Sequence, residues 1–241
     1  MLSKPVLQML LAGFTFSLMT LCVKFLSHLP ALELVFFRSI VSLVLSLVLL
    51  KYYGIPFLGN NKKWLILRGL FGVTALSLFF ITLQELPLAS AVSISYLSPI
   101  FTIIFGIFIL SERVKLIQWF FFFISFAGAV LIKGFDTNIS WFYIALGICS
   151  AIFSGLAYNC VRKVKDTDHA LVVVLYFPLI AMPITGVYSI FNWVAPKGVD
   201  WLILLALGVF TQIAQILMTK SLQGEKLAKI SVLKYMGVVY A

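Results

Sequence analysis

Of 241 residues, 62% are hydrophobic and 11% charged, with a mean hydropathy of +1.11, whereas soluble domains carry roughly 25% charged residues. This excludes a soluble fold and predicts an all-α polytopic membrane protein, because only backbone-satisfied helices or closed barrels cross lipid. The net charge of +10 is spread between apolar runs and not gathered in one patch, so it suits anionic headgroups and sets orientation; nucleic acid is not an expected partner.

About 20 apolar residues cross the ~30 Å of hydrocarbon, and eight complete candidate spans meet that length. The first, 5–27, is as long as a full span and lacks a small-residue cleavage site, so it reads as a retained helix and not a signal peptide. The second, 31–50, holds Glu33 at its start and Arg38 seven residues in. The third covers 64–83. The fourth, 88–110, contains "SYLSP"; Pro99 cannot donate to the Ser95 carbonyl and kinks the helix there. The fifth covers 116–132. The sixth, 140–161, carries Gly147, Ala151 and Gly155 at four-residue spacing, a smooth face for close helix packing that Asn159 continues as an interhelical hydrogen-bonding group. Pro178 and Pro183 bend the seventh, 170–192, and the eighth covers 201–219. A ninth run opens near Leu227, includes Lys234, and stops at Ala241.

Counting Lys and Arg on alternate sides of these spans gives 13 on the side of the N-terminus and 3 (Lys24, Lys133, Lys197) on the other, with Arg38 and Lys234 inside spans. In that count Arg68 falls with the basic side. The asymmetry predicts a cytoplasmic N-terminus in a multi-pass membrane protein. Cys22, Cys149 and Cys160 lie in apolar runs without metal-ligand spacing, and no disulfide is expected. No cofactor is implied, and no GxxxxGK phosphate loop is present. His28 and His169 fall on opposite sides, and all eight carboxylates lie near span ends. A membrane-embedded enzyme would need a catalytic set at one interface, and a small-cation antiporter would need a buried acid. A channel or a non-transporting regulatory subunit is the other alternative, separable from a carrier by counterflow.

An internal repeat is visible at an offset of 139 residues. "TLQELPLASAVSISYLSPIFT" (82–102) aligns with "SLQGEKLAKISVLKYMGVVYA" (221–241), matching Gln84 with Gln223, Leu88 with Leu227 and Tyr96 with Tyr235. Gly69 and Gly208 match at the same offset. A repeat of five spans must be inserted upside down in its second copy, a recurring plan of transporters. The halves are 1–135 and 136–241, and by this symmetry ten helices are expected, with the last part of span nine and all of span ten missing from the chain.

Together, "ELVFFR", "RGLFG" and "LPLASAVSISYLSPIFTIIFGIFILSER" resemble the drug/metabolite transporter superfamily, and more closely its EamA branch. The resemblance runs along the whole chain. It implies ten helices in two inverted halves, a substrate cavity between them and alternating access. "FFR" and the basic residue before Tyr235 are similar to bacterial carriers for S-adenosylmethionine or riboflavin, which points to amphipathic, aromatic or amino-acid-like metabolites.

A lysine at mid-bilayer costs about 2.5–3.5 kcal/mol on insertion scales. Lys234 lies seven residues into its span, ~10 Å at 1.5 Å per residue, and Arg38 enters equally far from the other side. Either both face a wet cavity and meet an anionic or zwitterionic ligand, or each snorkels or bonds freed carbonyls, with Glu33 as a partner for Arg38. Ser95 is the repeat mate of Lys234, and Tyr96 that of Tyr235, so the two halves present polar and aromatic groups at symmetric points. The expected substrate site is therefore Lys234, Tyr235, Tyr96, Ser95 and Arg38. The expected partners are a small-molecule substrate and the bilayer, with self-association into a homodimer allowed.

Overall fold

The structure, a computed structural model, describes residues 3–112, 114, 116–117, 119–120, 123–124, 127 and 140–236. Within them are seven candidate membrane spans of 22 to 25 residues. These are α1 (Lys4–Phe25), α2 (Ala31–Tyr52), α3 (Lys62–Glu85), the broken span α4 (Leu88–Ser95) with α5 (Ser98–Leu110), α6 (Trp141–Lys163), α7 (Ala170–Phe191) and α8 (Asp200–Gly224). A short α9 (Leu227–Ile230) runs into a 3-10 turn over Ser231–Met236. The protein is a multi-pass membrane protein. The span expected over 116–132 and the end of the ninth lie largely outside the described residues.

Prolines punctuate the bundle where a missing N–H costs nothing. Pro5 occupies the first turn of α1, Pro30 and Pro87 precede α2 and α4, and Pro99 opens α5. Pro178 and Pro183 instead sit inside a continuous α7.

The main helix pairings are α1 with α8, α3 with α6 and α2 with α7, while α5 runs along α6. Between lipid-solvated helices there is no hydrophobic drive to associate, so close backbone approach and interhelical hydrogen bonds hold such pairs. The small-residue face of α6 supplies both. A Cβ on Gly155 would stand 2.9 Å from the Thr102 amide nitrogen of α5, and Asn159 Nδ2 donates to the Thr102 carbonyl at 2.8 Å. Ser150 Oγ, on the same helix, donates to the Ala75 carbonyl of α3 at 2.7 Å. Gly69 of α3 rests on Ile180 of α7, and Gly208 of α8 rests on Val41 of α2. The three cysteines are free.

Candidate functional site

The site begins with the break in the fourth span. Pro99 brings no N–H, and α4 stops at Ser95. The Leu97 amide closes a tight bond to Ile94 at 3.0 Å, and the helix restarts with Phe101 on Leu97 at 3.2 Å. Among the described residues no hydrogen bond reaches the Ser95 carbonyl. Irregular backbone at this depth is tolerated only against protein or a wet cavity, and Ser95 lines one. The second break is its counterpart, because α9 gives way at Ser231 to the 3-10 turn that carries Lys234 and Tyr235.

The two breaks meet. The Tyr96 and Tyr235 rings lie 5.6 Å apart between centroids, tilted by 51°, and Ile103 packs with them. Beside this contact opens a cavity of about 260 Å³, walled by α1, α3, α4, α6 and the 3-10 turn, with Phe177 of α7 and Gln215 of α8 at one side. Lys234 Nζ donates to Ser98 Oγ at 2.7 Å and to the Tyr158 hydroxyl at 3.1 Å. It also stands 4.5 Å from the Tyr158 ring centre. Across the cavity, Arg68 Nη2 donates to Gln215 Oε1 at 2.8 Å, and its guanidinium lies 5.3 Å from the centre of the Phe177 ring. Two cations line the wall and, among the described residues, no carboxylate does. Such a lining offers cations that can make charge-assisted hydrogen bonds to an acidic group beside the apolar faces of Phe16, Phe79 and Phe177. The described residues contain no cluster of three His, Cys, Asp or Glu that could hold a metal ion.

Of the five residues expected from sequence, Lys234, Tyr96 and Ser95 line the cavity. Tyr235 packs behind Tyr96, with its buried hydroxyl unpaired. Arg38 is fully buried (0% exposed) over the other edge of the site, 4.8 Å from the Phe177 ring centre. Glu33 is not its partner, since its Oε2 accepts the Val194 amide at 3.1 Å. Arg68, read from sequence as a cation of the basic membrane face, is instead buried and lines the cavity. It stands six positions after Lys62, the first residue of α3, and only four after the start of the span expected at 64, shallower than Arg38 or Lys234 in theirs. Tyr158, Ser98 and Gln215 were not expected, and only Tyr158 gave a signal, by preceding Asn159 on the packing face of α6.

Polar contacts tie helix ends together on both sides of the bundle. At the basic end Glu112 pairs with Arg162 at 3.4 Å and accepts the Leu227 amide at 3.2 Å, while Arg162 reaches the Gln223 carbonyl at 2.6 Å. At the other end Lys24 Nζ donates to the Leu86 carbonyl and His28 pairs with Asp200, each at 3.0 Å.

Comparison with known proteins gives a consistent result. The model of the EamA-like transporter family matches residues 3–134. The pseudopaline exporter CntI of Pseudomonas aeruginosa is 30% identical over 243 residues, covering 100% of this chain and 86% of the relative. Solute carrier family 35 member G1 of Homo sapiens is 31% identical over 252 residues, covering 96% of this chain and 68% of the relative. A solved crystal structure of 20% identity superposes with a TM-score of 0.80 over 98% of this chain and 84% of its own, a likeness of fold.

Proposed function

The chain belongs to the EamA-like transporter family, and from that premise we propose that this membrane transporter is a secondary carrier of a small anionic or zwitterionic metabolite with an aromatic or apolar portion. S-adenosylmethionine-like, riboflavin-like and amino-acid-like compounds are the classes we favour. The observation that carries this reading is Lys234, held by Ser98 and Tyr158 at the wall of a cavity whose lining includes no described acid. Lys234 spends two of its three N–H donors on neutral hydroxyls, so the third is free for a carboxylate, to which the Ser98 and Tyr158 hydroxyls can donate in turn. Export is the direction we carry over from the Pseudomonas relative, whose name describes an exporter, and the bacterial inner membrane is the location we assign.

For mechanism we propose alternating access between two inverted five-helix halves, 1–135 and 136–241, within a ten-helix plan with a cytoplasmic N-terminus. Two reciprocal details support the repeat. Gln84 Nε2 donates to the Leu29 carbonyl at 2.8 Å, and Gln223 Nε2 donates to the Asp168 carbonyl at 3.1 Å; both members of the second pair lie 139 positions after those of the first. Likewise Gly69 rests on Ile180, and Gly208 rests on Val41, the repeat mate of Ile180. In the reading, the Glu112–Arg162 brace and the Lys24–Leu86 and His28–Asp200 bonds are the alternating closures. Self-association into a homodimer is a further proposal, to be read from the mass of the purified particle.

The test is counterflow in proteoliposomes. Vesicles loaded with one unlabelled metabolite from an amino-acid, organic-acid and nucleoside panel are exposed to its labelled form. Saturable uptake that requires internal substrate supports the carrier. Failure of every compound to exchange contradicts it.

A further inference from the structure

Arg38 has no acceptor for its Nε, Nη1 or Nη2 among the described residues, although it is 0% exposed. Arg68, 3% exposed, gives one bond to Gln215, and its Nε has no acceptor. Both guanidinium carbons lie over the Phe177 ring, at 4.8 and 5.3 Å from its centre, so they are no farther apart than those two distances combined. No described carboxylate pairs with either. Two like charges at that range repel, and each is removed from water. An aromatic face relieves a cation only partly, by ~0.5–2 kcal/mol. Buried guanidinium donors are normally all but fully used, and this cluster leaves most of them unused.

The surroundings are polar as well. α2 carries Arg38, Ser42 and Ser46 one turn apart, all buried, and packs this face on α8, where Gln212 Nε2 donates to Ser46 Oγ at 2.8 Å. Ser42 Oγ, Thr211 Oγ1 and Gln212 Oε1 are buried without partners. Arg68 and Phe177 belong to the cavity wall, so the cluster borders the space that Lys234 faces.

We infer that Arg38 and Arg68, around Phe177, form an anion-binding centre that takes a doubly charged acidic group, distinct from the single acidic contact offered by Lys234. The inference rests on the carrier reading for its ligand: the transported molecule then carries two or more acidic functions, one end at the arginine pair and another at Lys234. The same chemistry fits a small inorganic dianion moving with the substrate, and the probes separate the two sources.

The experiment is thermal melting of the purified full chain in detergent with sulfate, succinate or acetate, each compared with chloride at equal ionic strength. The expected result is a saturable rise in melting temperature with a dianion, and little with acetate. Succinate acting where sulfate does not assigns the site to the substrate's own carboxylates; sulfate acting alone assigns it to an inorganic dianion. Arg38→Met and Arg68→Met each weaken the response about tenfold or more, as loss of a charge-assisted pair requires. Without anion, Arg38→Met melts no lower than the parent, because an unpaired buried cation has been removed. Lys234→Met keeps the sulfate response. Equal stabilisation by dianion and chloride, an undiminished response in both arginine variants, or an Arg38→Met protein that is simply less stable would overturn the inference. Dianion binding without any metabolite counterflow would instead count against the carrier reading.

Discussion

Tyr96 and Tyr235, 139 positions apart in the chain, pack ring against tilted ring at 5.6 Å where two broken helices meet. Tyr96 directly follows the last residue of α4, and Tyr235 lies in the 3-10 turn that follows α9. Aromatic pairs contribute ~0.5–1.5 kcal/mol beyond the area they bury. A double-mutant cycle of Tyr96→Ala and Tyr235→Ala, read by chemical denaturation, is expected to give a coupling in that range. Additive effects of the two substitutions would mean that the rings share no energetic contact.

Lys234 donates to Ser98 and Tyr158, and both acceptors are neutral. Lys234→Met is expected to cost a transported acid about tenfold or more in affinity, since hydrogen bonds to charged groups are worth ~1.5–3 kcal/mol. Tyr158→Phe removes only one of the two acceptors and should cost less. Saturation curves of counterflow measure both, and an unchanged half-saturation in Lys234→Met removes the lysine from the site.

The glycines of α6 differ in what faces them. At Gly155 the nearest atoms to an added Cβ include backbone of Thr102 and Phe101, at 2.9 and 3.0 Å; at Gly147 the nearest is the Ile94 side chain. A side chain can turn aside and a helix backbone cannot. Gly155→Ala is therefore expected to destabilise by ~1–3 kcal/mol, the range of overpacked sites, and Gly147→Ala by less. Melting temperatures of the two variants in one detergent test the order.

His169 caps α7, its Nδ1 accepting the Leu171 amide at 3.2 Å. Burial, and then the nearby Lys220 charge, push its pKa below the usual imidazole value. The unfolded chain therefore binds the proton more readily than the folded one. The stabilisation is complete above the ordinary histidine pKa and is lost as pH falls through it toward the lowered folded value. Melting should decline over that acidic interval, and His169→Asn, which keeps an acceptor for the cap without titrating, should flatten the decline. An equal slope in both proteins excludes this cap as its source.

Much of this architecture is legible in the sequence because its causes are local. Span lengths follow from bilayer thickness, and the break after Ser95 follows from the missing donor of Pro99. The depth of Lys234 marks a charge that lipid would not tolerate. Asn159 was readable as an interhelical donor because it extends a row of small residues. Arg68 was misread for an equally physical reason: with Lys62 and Lys63 one and a half turns before it, it resembles the basic fringe of a membrane face. Only the packing of α3 on α6 and α7 turns it inward. The meeting of Arg38 and Arg68 over one ring depends on how three helices cross, which no single segment encodes.

In the proposed cycle one cavity, at the junction of the two broken helices, opens to each side of the membrane in turn. The direct measurement uses Ser95→Cys, a cavity position, in a chain from which Cys22, Cys149 and Cys160 have been removed. Membrane-impermeant maleimide is applied to vesicles from one face and then the other, with and without Glu112→Gln, which breaks the Glu112–Arg162 brace. Labelling is expected from both faces, with the rate from the basic face rising and the rate from the other falling when the brace is broken. Labelling from one face only, or rates that change independently, would contradict it.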